Sequence, residues 1–247
     1  MKNIIHSYKK DAQHSYTAGA YATIELLQTR PQHVQQVFVH SGYKDTDGLA
    51  ALCRNAGVPL IHSDAAFRRI NQKENTYAAA QFAKYSERLA PDLPHVMLVN
   101  PGDMGNLGTI IRTIAAFGIT NLAIVTPAAD YWHPKTVRAS MGAVFRINIE
   151  EFASFDEYRT RFGQHTLFTF MLDGNPLDLQ NSKLSNNRPP PYTLIFGNEA
   201  SGLPASYKDV GTSIRLPQTD LVDSLNLSVA VGIAVYAFAT GFRDMKM

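Results

Sequence analysis

The sequence contains one cysteine, Cys53, among its 247 residues, which excludes an internal disulfide framework and is typical of a reducing cytosol. Its eight histidines lack the paired spacing of metal ligands. The first fifteen residues include no apolar core long enough for a signal peptide. We therefore expect a cytoplasmic protein that uses no metal.

Long apolar runs are also scarce. The most apolar stretch, "LNLSVAVGIAVYAFATGF", begins at Leu225 and has the length of a membrane span. Asn226, Ser228 and two glycines interrupt it, and no polybasic flank follows. The pattern predicts a buried helix and no membrane partner.

Neither sign of charge dominates, since the formal net charge is +2. Residues 1–92 contain 11 basic and 8 acidic side chains, whereas the remainder contains 12 and 13. Five of the eight histidines also lie in the first part. The excess of basic residues in the first part weakly favours a polyanionic partner. It does not reach the pI above about 9 that is typical of an obvious nucleic-acid-binding domain.

Strand-like and helical patterns alternate along the chain, which predicts a parallel sheet covered by helices. The prolines in "SERLAPDLPH" indicate a boundary, so we expect two domains, 1–90 and 91–247. Residues 76–86 fit a strand or a short helix. The other predicted strands are 34–40, 58–63, 95–100, 121–126, 143–149, 165–172, 192–197 and 212–217, and the predicted helices are 45–57, 106–117, 134–141, 154–162 and 224–240.

The stretch "NPGDMGNLGTIIRT", residues 100–113, places three glycines within seven positions at a strand-to-helix junction. Glycines there let a ligand lie against bare backbone. Their spacing matches neither G-x-G-x-x-G nor G-x-x-x-x-G-K-[ST]. No acidic residue ends the next strand, where a ribose-binding carboxylate is needed. A dinucleotide oxidoreductase and a P-loop NTPase are therefore both disfavoured.

Two polar residues of this helix, Asn106 and Arg112, lie opposite an apolar stripe formed by Leu107, Ile110, Ile111 and Ile114. Asn106 is in the first turn, where an amide meets a ligand or caps the helix. Arg112 lies six residues on, roughly 9 Å along the axis. Taken alone, these two residues are better explained as a helix cap and a solvated surface arginine, because most exposed arginines on helices are solvated.

Two later loops carry further polar residues. In "LIFGNEASGLP", Gly197 ends a strand and Glu199 follows it, at the position where open α/β sheets bind ligands. In "IRLPQTDLVDSLNLSVAV", Asp223 or Ser224 suits the N-cap of the apolar helix. Asn226 is then left on an apolar helix, and a buried amide needs partners.

Together, "GNLGTIIRT", "FGNEASGL" and "SLNLSVAVGIAVY" resemble the SpoU (TrmH) branch of the SPOUT RNA methyltransferases, in that family's order and spacing. The similarity runs from about Val96 to Phe238, and "RASMGAVFR" (138–146) is similar to the family's intervening segment. Ala200 and Asp220 stand where the family often has glycine. Alanine at position 200 is tolerable if its φ is negative.

The resemblance implies an α/β protein with a C-terminal parallel-sheet domain, whose deep trefoil knot holds a bent S-adenosylmethionine (AdoMet). It implies metal-free methyl transfer to a ribose 2′-hydroxyl of RNA, with rRNA favoured over tRNA. By matching positions, the catalytic residues are Asn106, Arg112, Glu199, Ser224 and Asn226. The AdoMet-binding residues are Gly197, Leu216, Ser224, Leu225 and Asn226.

Arg112 is the base suggested for this family. A guanidinium stays protonated at neutral pH, so we expect Arg112 to bind a phosphate and polarise the 2′-hydroxyl. The sequence does not identify the general base. Family members are homodimers with the site near the interface, so the resemblance also implies a homodimer. Arg112 would then serve the partner's AdoMet.

Residues 1–90 loosely resemble the family's N-terminal α/β substrate-binding domain, which is similar to a ribosomal-protein fold. The candidate RNA contacts are Arg68, Arg69 and Lys73, with Lys135 and Arg138 on the other domain. A solvated basic surface explains them equally well. The alternative function is a non-catalytic RNA-binding or assembly factor, which would bind RNA without AdoMet. The intact polar set argues against it.

Overall fold

The computed structural model describes residues 7–70, 76–177 and 191–239. Its contacts divide the chain into two compact units, Met1–Ser86 with Asp130–Arg146, and Glu87–Ala129 with Ile147–Met247. Residues 130–146, which we assigned to the second domain, thus belong to the first unit. Lys135 and Arg138 lie within this range and so belong to the first unit as well.

Within the described ranges the chain forms the following elements. The strands are β1 (His14–Tyr16), β2 (Val34–Val39), β3 (Leu60–His62), β4 (Ala78–Ala83), β5 (His95–Val99), β6 (Asn121–Val125), β7 (Asn148–Phe152), β8 (Thr166–Pro176), β9 (Tyr192–Phe196) and β10 (Thr212–Arg215). The helices are α1 (Ala20–Thr29), α2 (Thr46–Ala56), α3 (Asp64–Ile70), α4 (Met104–Ala116), α5 (Pro134–Ala139), α6 (Phe155–Arg161) and α7 (Leu227–Ala239). None of these helices is long and apolar enough to cross a membrane.

The first unit is built on a four-stranded sheet in the order β1-β4-β2-β3. β4, the segment that fitted strand or helix, runs antiparallel to both β1 and β2, while β2 and β3 are parallel. Asp45 caps α2 by accepting from the Gly48 N–H, and Gly57 ends it with a left-handed φ of 67°. Both ends of α2 agree with the sequence pattern.

The second unit contains a six-stranded sheet in the order β10-β8-β9-β5-β6-β7. Every neighbouring pair in it is parallel, as the alternation of strands and helices predicted. β5, β6 and β9 are buried along their whole length, because a parallel sheet is covered on both faces. Since β5 and β9 are neighbours, the loops after Val99 and Phe196 leave the same edge of the sheet.

The strand predicted at 143–149 is wrong in its first half. Ala143–Phe145 forms a 3-10 turn and β7 begins only at Asn148. Met141 and Gly142 both have positive φ, which ends the preceding helix in a tight reversal. Phe145 is then buried edge-on against Phe82. Tertiary packing thus outweighs the local strand preference.

A buried polar network lies at the other end of the second sheet, where the strands begin. The Tyr158 hydroxyl hydrogen-bonds His95 Nδ1 at 2.8 Å and the Thr193 hydroxyl at 2.6 Å. His165 Nδ1 reaches the same Thr193 oxygen at 2.9 Å. The second nitrogen of each imidazole bonds a carbonyl of the 86–95 segment, at Ala90 and Pro91. The network therefore ties that segment to the sheet.

Burial keeps both imidazoles of this network neutral. It lowers the pKa of His95 to about 3, although the bond to the Ala90 carbonyl opposes the change. Burial also lowers the pKa of His165, against the opposing bonds to Pro91 and Tyr192. In the unfolded chain both imidazoles titrate near 6.5. As pH falls, protons therefore bind the unfolded state first.

We expect the free energy of unfolding to fall as pH drops below about 6.5 and to keep falling towards the folded-state pKa values. For His95 alone, the loss between pH 7 and pH 5 is about 2 kcal/mol. Urea denaturation at the two pH values measures it. The loss should shrink in His95→Asn but persist in a matched variant of the exposed His62, His62→Asn. An unchanged loss in His95→Asn would contradict this account.

Candidate functional site

Glu199 joins the loops that follow β5 and β9. Its carboxylate accepts the Gly102 N–H at 2.9 Å and the Asp103 N–H at 3.1 Å. Both donors lie just before α4, where N–H groups have no helical partner and a negative charge is favoured. Glu199 therefore holds the "NPGDMGN" loop against the "FGNEASG" loop.

Two amides extend this contact to the third loop. Asn106 Nδ2 donates to Glu199 Oε1 at 3.3 Å, and Asn226 Nδ2 donates to Asn106 Oδ1 at 3.1 Å. Each amide thus donates a hydrogen bond through its nitrogen and can accept one through its oxygen. We call Glu199, Asn106 and Asn226 the polar relay. It connects the first turn of α4, the loop after β9 and the residue before α7, which are far apart in the chain.

The helix caps are not the ones that the sequence favoured. Asp103 caps α4 by accepting from the Asn106 N–H at 2.8 Å, so the Asn106 side chain is available for the relay. α7 begins at Leu227, and its first turn is held by Asn226, whose Oδ1 accepts from the N–H and hydroxyl of Ser228. Asp223 and Ser224 are therefore too early to cap the helix.

The relay keeps Glu199 ionised. Partial burial alone would raise the pKa of Glu199, but hydrogen bonds from the backbone of Gly102, its own backbone and Asp103, and from the Asn106 amide, together lower it below its usual range. A carboxylate with this many donors is a weak base. The geometry gives Glu199 a positioning role.

Asn198 is a site residue that the sequence analysis missed. Its Nδ2 donates to the Asn100 carbonyl at 2.7 Å, and its Oδ1 accepts the N–H groups of Ala200 and Ser201. Asn100 itself has a positive φ of 53°. Asparagine is frequent where side chains stabilise turns and where φ is positive. The residue type at Asn100 and Asn198 could therefore have indicated turns at these two positions.

A cavity of about 370 Å³ lies beside the relay, within the size range of small-molecule sites. Four of the predicted AdoMet-binding residues line it, namely Gly197, Leu216, Ser224 and Leu225. Glu199 also lines it, whereas Asn106, Arg112 and Asn226 do not. Apolar walls come from residues such as Phe196 and Leu227, and polar groups from Asn198 and Gln218.

Close backbone packing shapes the cavity wall at Gly197. A Cβ there would lie 2.1 Å from the Gly202 carbonyl carbon and 2.2 Å from the Leu203 nitrogen. Gly202 has a left-handed φ of 67°. Ala200, by contrast, is not among the described residues with positive φ, so the alanine at this position causes no backbone strain.

Arg112 lies outside the relay. It is exposed on α4, two turns beyond Asn106. Within the described part of the chain, no hydrogen bond or ion pair engages it. Its guanidinium is therefore available to an anion from outside this chain.

The comparisons with known proteins agree with this arrangement. The family model described as the SpoU rRNA Methylase family matches residues 94–236, more than half of the chain. This chain belongs to the SpoU rRNA methylase family. The resemblance inferred from the three loops is thereby confirmed.

Several known methyltransferases are similar over large parts of the chain. An uncharacterized tRNA/rRNA methyltransferase of Synechocystis sp. is 32% identical over 54% of this chain and 48% of its own length, so the chain spans about half of that relative. The 23S rRNA (guanosine(2553)-2′-O)-methyltransferase RlmP of Bacillus subtilis is 28% identical over 70% of this chain and 69% of its own. The solved structure of AdoMet-bound rRNA methyltransferase from Sinorhizobium meliloti superposes with a TM-score of 0.77 and is 26% identical in sequence. The match covers 95% of this chain and 89% of the Sinorhizobium chain.

The RNA contacts that we predicted for a SpoU protein lie in the first unit. Arg68 is exposed on α3 and Lys135 is exposed on α5. Arg138 is half-buried, and its guanidinium donates to the Thr76 hydroxyl at 3.5 Å. The side chain of Arg69 and all of Lys73 lie outside the described residues. The part of the chain that is described holds no group of three metal-binding side chains.

Replacing Gly197 with alanine should lower the free energy of unfolding by about 1–3 kcal/mol, because the new methyl group overlaps the Gly202–Leu203 backbone. The matched control is Gly102→Ala, whose Cβ would meet its nearest side-chain atoms at an ordinary 3.6 Å. That control should change the free energy by no more than about 0.5 kcal/mol. Urea denaturation of both variants checks the prediction, and equal effects would refute it.

Proposed function

We propose that this SpoU family member transfers a methyl group from AdoMet to a ribose 2′-hydroxyl of RNA, with rRNA as the substrate class. The polar relay beside the cavity is the observation that carries the proposal. Membership of the SpoU rRNA methylase family and the activities of the Bacillus and Sinorhizobium relatives support it.

The cavity suits AdoMet in size and chemistry. Leu216 and Leu225 offer apolar contact to an adenine ring, while Ser224 and Gln218 offer hydrogen bonds. The sulfonium supplies an activated methyl group, so the protein's main task is to align the acceptor oxygen with it. For this reason the proposal includes no metal.

The residues of the site divide into positioning and binding groups. The polar relay fixes the amides of Asn106 and Asn226 next to the cavity. Ser224 lines the cavity and can contact both substrates. Arg112 grips a phosphate and polarises the 2′-hydroxyl. We assign no general base, because Glu199 is held by its donors and a guanidinium stays protonated.

We also propose the deep trefoil knot of the family. β10 lies at one edge of the sheet, whereas α7, which follows it, packs on α4 and β9. The chain between them supplies Leu216, Ser224 and Leu225 to the cavity, so it runs past the loop after β9, which also lines the cavity. For residues 1–90, a ribosomal-protein-like substrate-binding domain remains our proposal, with Arg68, Arg69, Lys73, Lys135 and Arg138 as RNA contacts. A cytoplasmic location is consistent with the free, buried thiol of Cys53.

Calorimetric titration with S-adenosylhomocysteine should show binding at about micromolar affinity and about one molecule per chain. Arg112→Ala should bind it nearly as well but lose transfer of labelled methyl groups to rRNA, because Arg112 does not line the cavity. Asn226→Ala should impair both, since it breaks the relay and the α7 cap.

The outcomes of this titration separate the rival functions. RNA binding without S-adenosylhomocysteine binding would favour the non-catalytic assembly factor. Equal loss of binding and transfer in Arg112→Ala would refute the role given to that residue. Nuclease digestion of the labelled RNA to nucleosides would show whether the methyl group is on the ribose or on the base.

We further propose a homodimer that covers the outer face of α7. Val229, Ile233 and Tyr236 share one side of this helix and are 49%, 43% and 56% exposed. Phe117, 38% exposed, contacts Tyr236 edge-on. A helix that is apolar all round is normally buried, so a second copy is the expected cover.

Ile233→Glu should convert the dimer to a monomer, because it puts a charge into the proposed interface. Sedimentation velocity gives the mass. The matched control is Leu93→Glu, which alters a side chain of similar exposure, 44%, outside α7. A wild-type protein with the mass of one chain would refute the dimer.

A further inference from the structure

Several basic and aromatic residues meet at one end of the first sheet. Because β4 is antiparallel to β1 and β2, His14 lies opposite Ala83 and Val34 opposite Phe82. The segments that precede β1 and β2 and follow β4 therefore gather at the same end. Arg68, on the helix after β3, belongs to the opposite end, because β3 is parallel to β2.

We define the Lys84 patch as Tyr8, Lys10, Lys84, His133 and Lys135. Lys84 Nζ donates to the Lys10 carbonyl at 2.7 Å and lies 4.7 Å from the centroid of the Tyr8 ring, a cation–π distance. The Tyr8 and His133 rings meet edge-on at 5.1 Å. The Lys135 N–H donates to His133 Nδ1 at 3.1 Å.

The patch is electropositive. Lys10 and Lys135 are exposed, and Lys84 is half-buried. The carboxylate of Asp130 already accepts hydrogen bonds from the Tyr8 hydroxyl and the Trp132 N–H. Burial lowers the pKa of His133, Asp130 opposes this, and the charges of Lys135 and Lys84 lower it further. The charges of both lysines therefore disfavour protonation of His133.

A second set of rings continues from the patch. Tyr85 follows Lys84 directly and stacks on His33 with centroids 4.2 Å apart and planes 20° apart. The guanidinium carbon of Arg30 lies 5.8 Å from the Tyr85 centroid. Arg30, His33 and Trp132 thus surround the Tyr85 ring beside the patch.

We propose that the Lys84 patch binds single-stranded RNA and thereby recruits the substrate to the first unit. Lys84, Lys135 and Lys10 bind phosphates, and the Tyr8 and His133 rings offer stacking surfaces for bases. Alternation of cations with aromatic rings is the pattern that suits single-stranded nucleic acid, since phosphates and bases alternate in the same way. The inference rests on the proposed function and adds a binding surface distinct from Arg68.

Fluorescence anisotropy with a labelled single-stranded RNA oligonucleotide of mixed sequence tests the proposal. Lys84→Glu/Lys135→Glu should lower the affinity at least about tenfold and flatten the log–log salt slope by about 1.4, or about 0.7 for each phosphate that is no longer neutralised. Lys10→Glu/Lys135→Glu should lower the RNA affinity by a similar factor. This second variant changes only exposed side chains, so it tests the patch even if Lys84 is needed for folding. The matched control is Lys44→Glu, an exposed lysine at the opposite end of the sheet.

Titration of each variant with S-adenosylhomocysteine separates the two proposals. Wild-type RNA affinity in both double variants, or an equal loss in Lys44→Glu, overturns the patch and leaves the methyltransferase function intact. Failure of the wild type to bind S-adenosylhomocysteine, with RNA bound at the patch, overturns the enzymatic function but supports the patch. Absence of any RNA binding by the wild type overturns both.

Discussion

The candidate site depends on one interaction, the acceptance of two backbone N–H groups by the Glu199 carboxylate. Those donors precede α4 and have no partner within the helix, so a negative charge there satisfies them and the helix dipole together. Glu199 in turn receives the Asn106 amide. Together with the Asn198 amide, which donates to the Asn100 carbonyl, this carboxylate holds the loops after β5 and β9 against each other.

The parallel sheet explains why such a contact is possible. β5 and β9 are adjacent but about a hundred residues apart in the chain, and their carboxyl ends meet at one edge. The third loop reaches the same place through Asn226, which bonds Asn106 and starts α7. Glu199, which lines the cavity, is thus linked through Asn106 and Asn226 to the first turns of α4 and α7.

The sequence predicted the parallel sheet and the three loops well, because apolar periodicity and glycine-rich turns are local signals. It left Asn106 as either a cap or a ligand contact, and the structure shows that Asp103 caps α4 while the Asn106 amide bonds Glu199. It placed a strand at 143–149, where burial of Phe145 against Phe82 selects a helical turn. These choices depend on residues distant in the chain.

The return of residues 130–146 to the first unit means that the chain crosses between the two units three times. Phe82 in β4 packs against Trp132 and Phe145 from the returning segment. A gene fragment that ended near residue 90 would encode a sheet without these two rings. The two halves are therefore not interchangeable modules, and recombination could exchange the first unit intact only by carrying the returning segment with it.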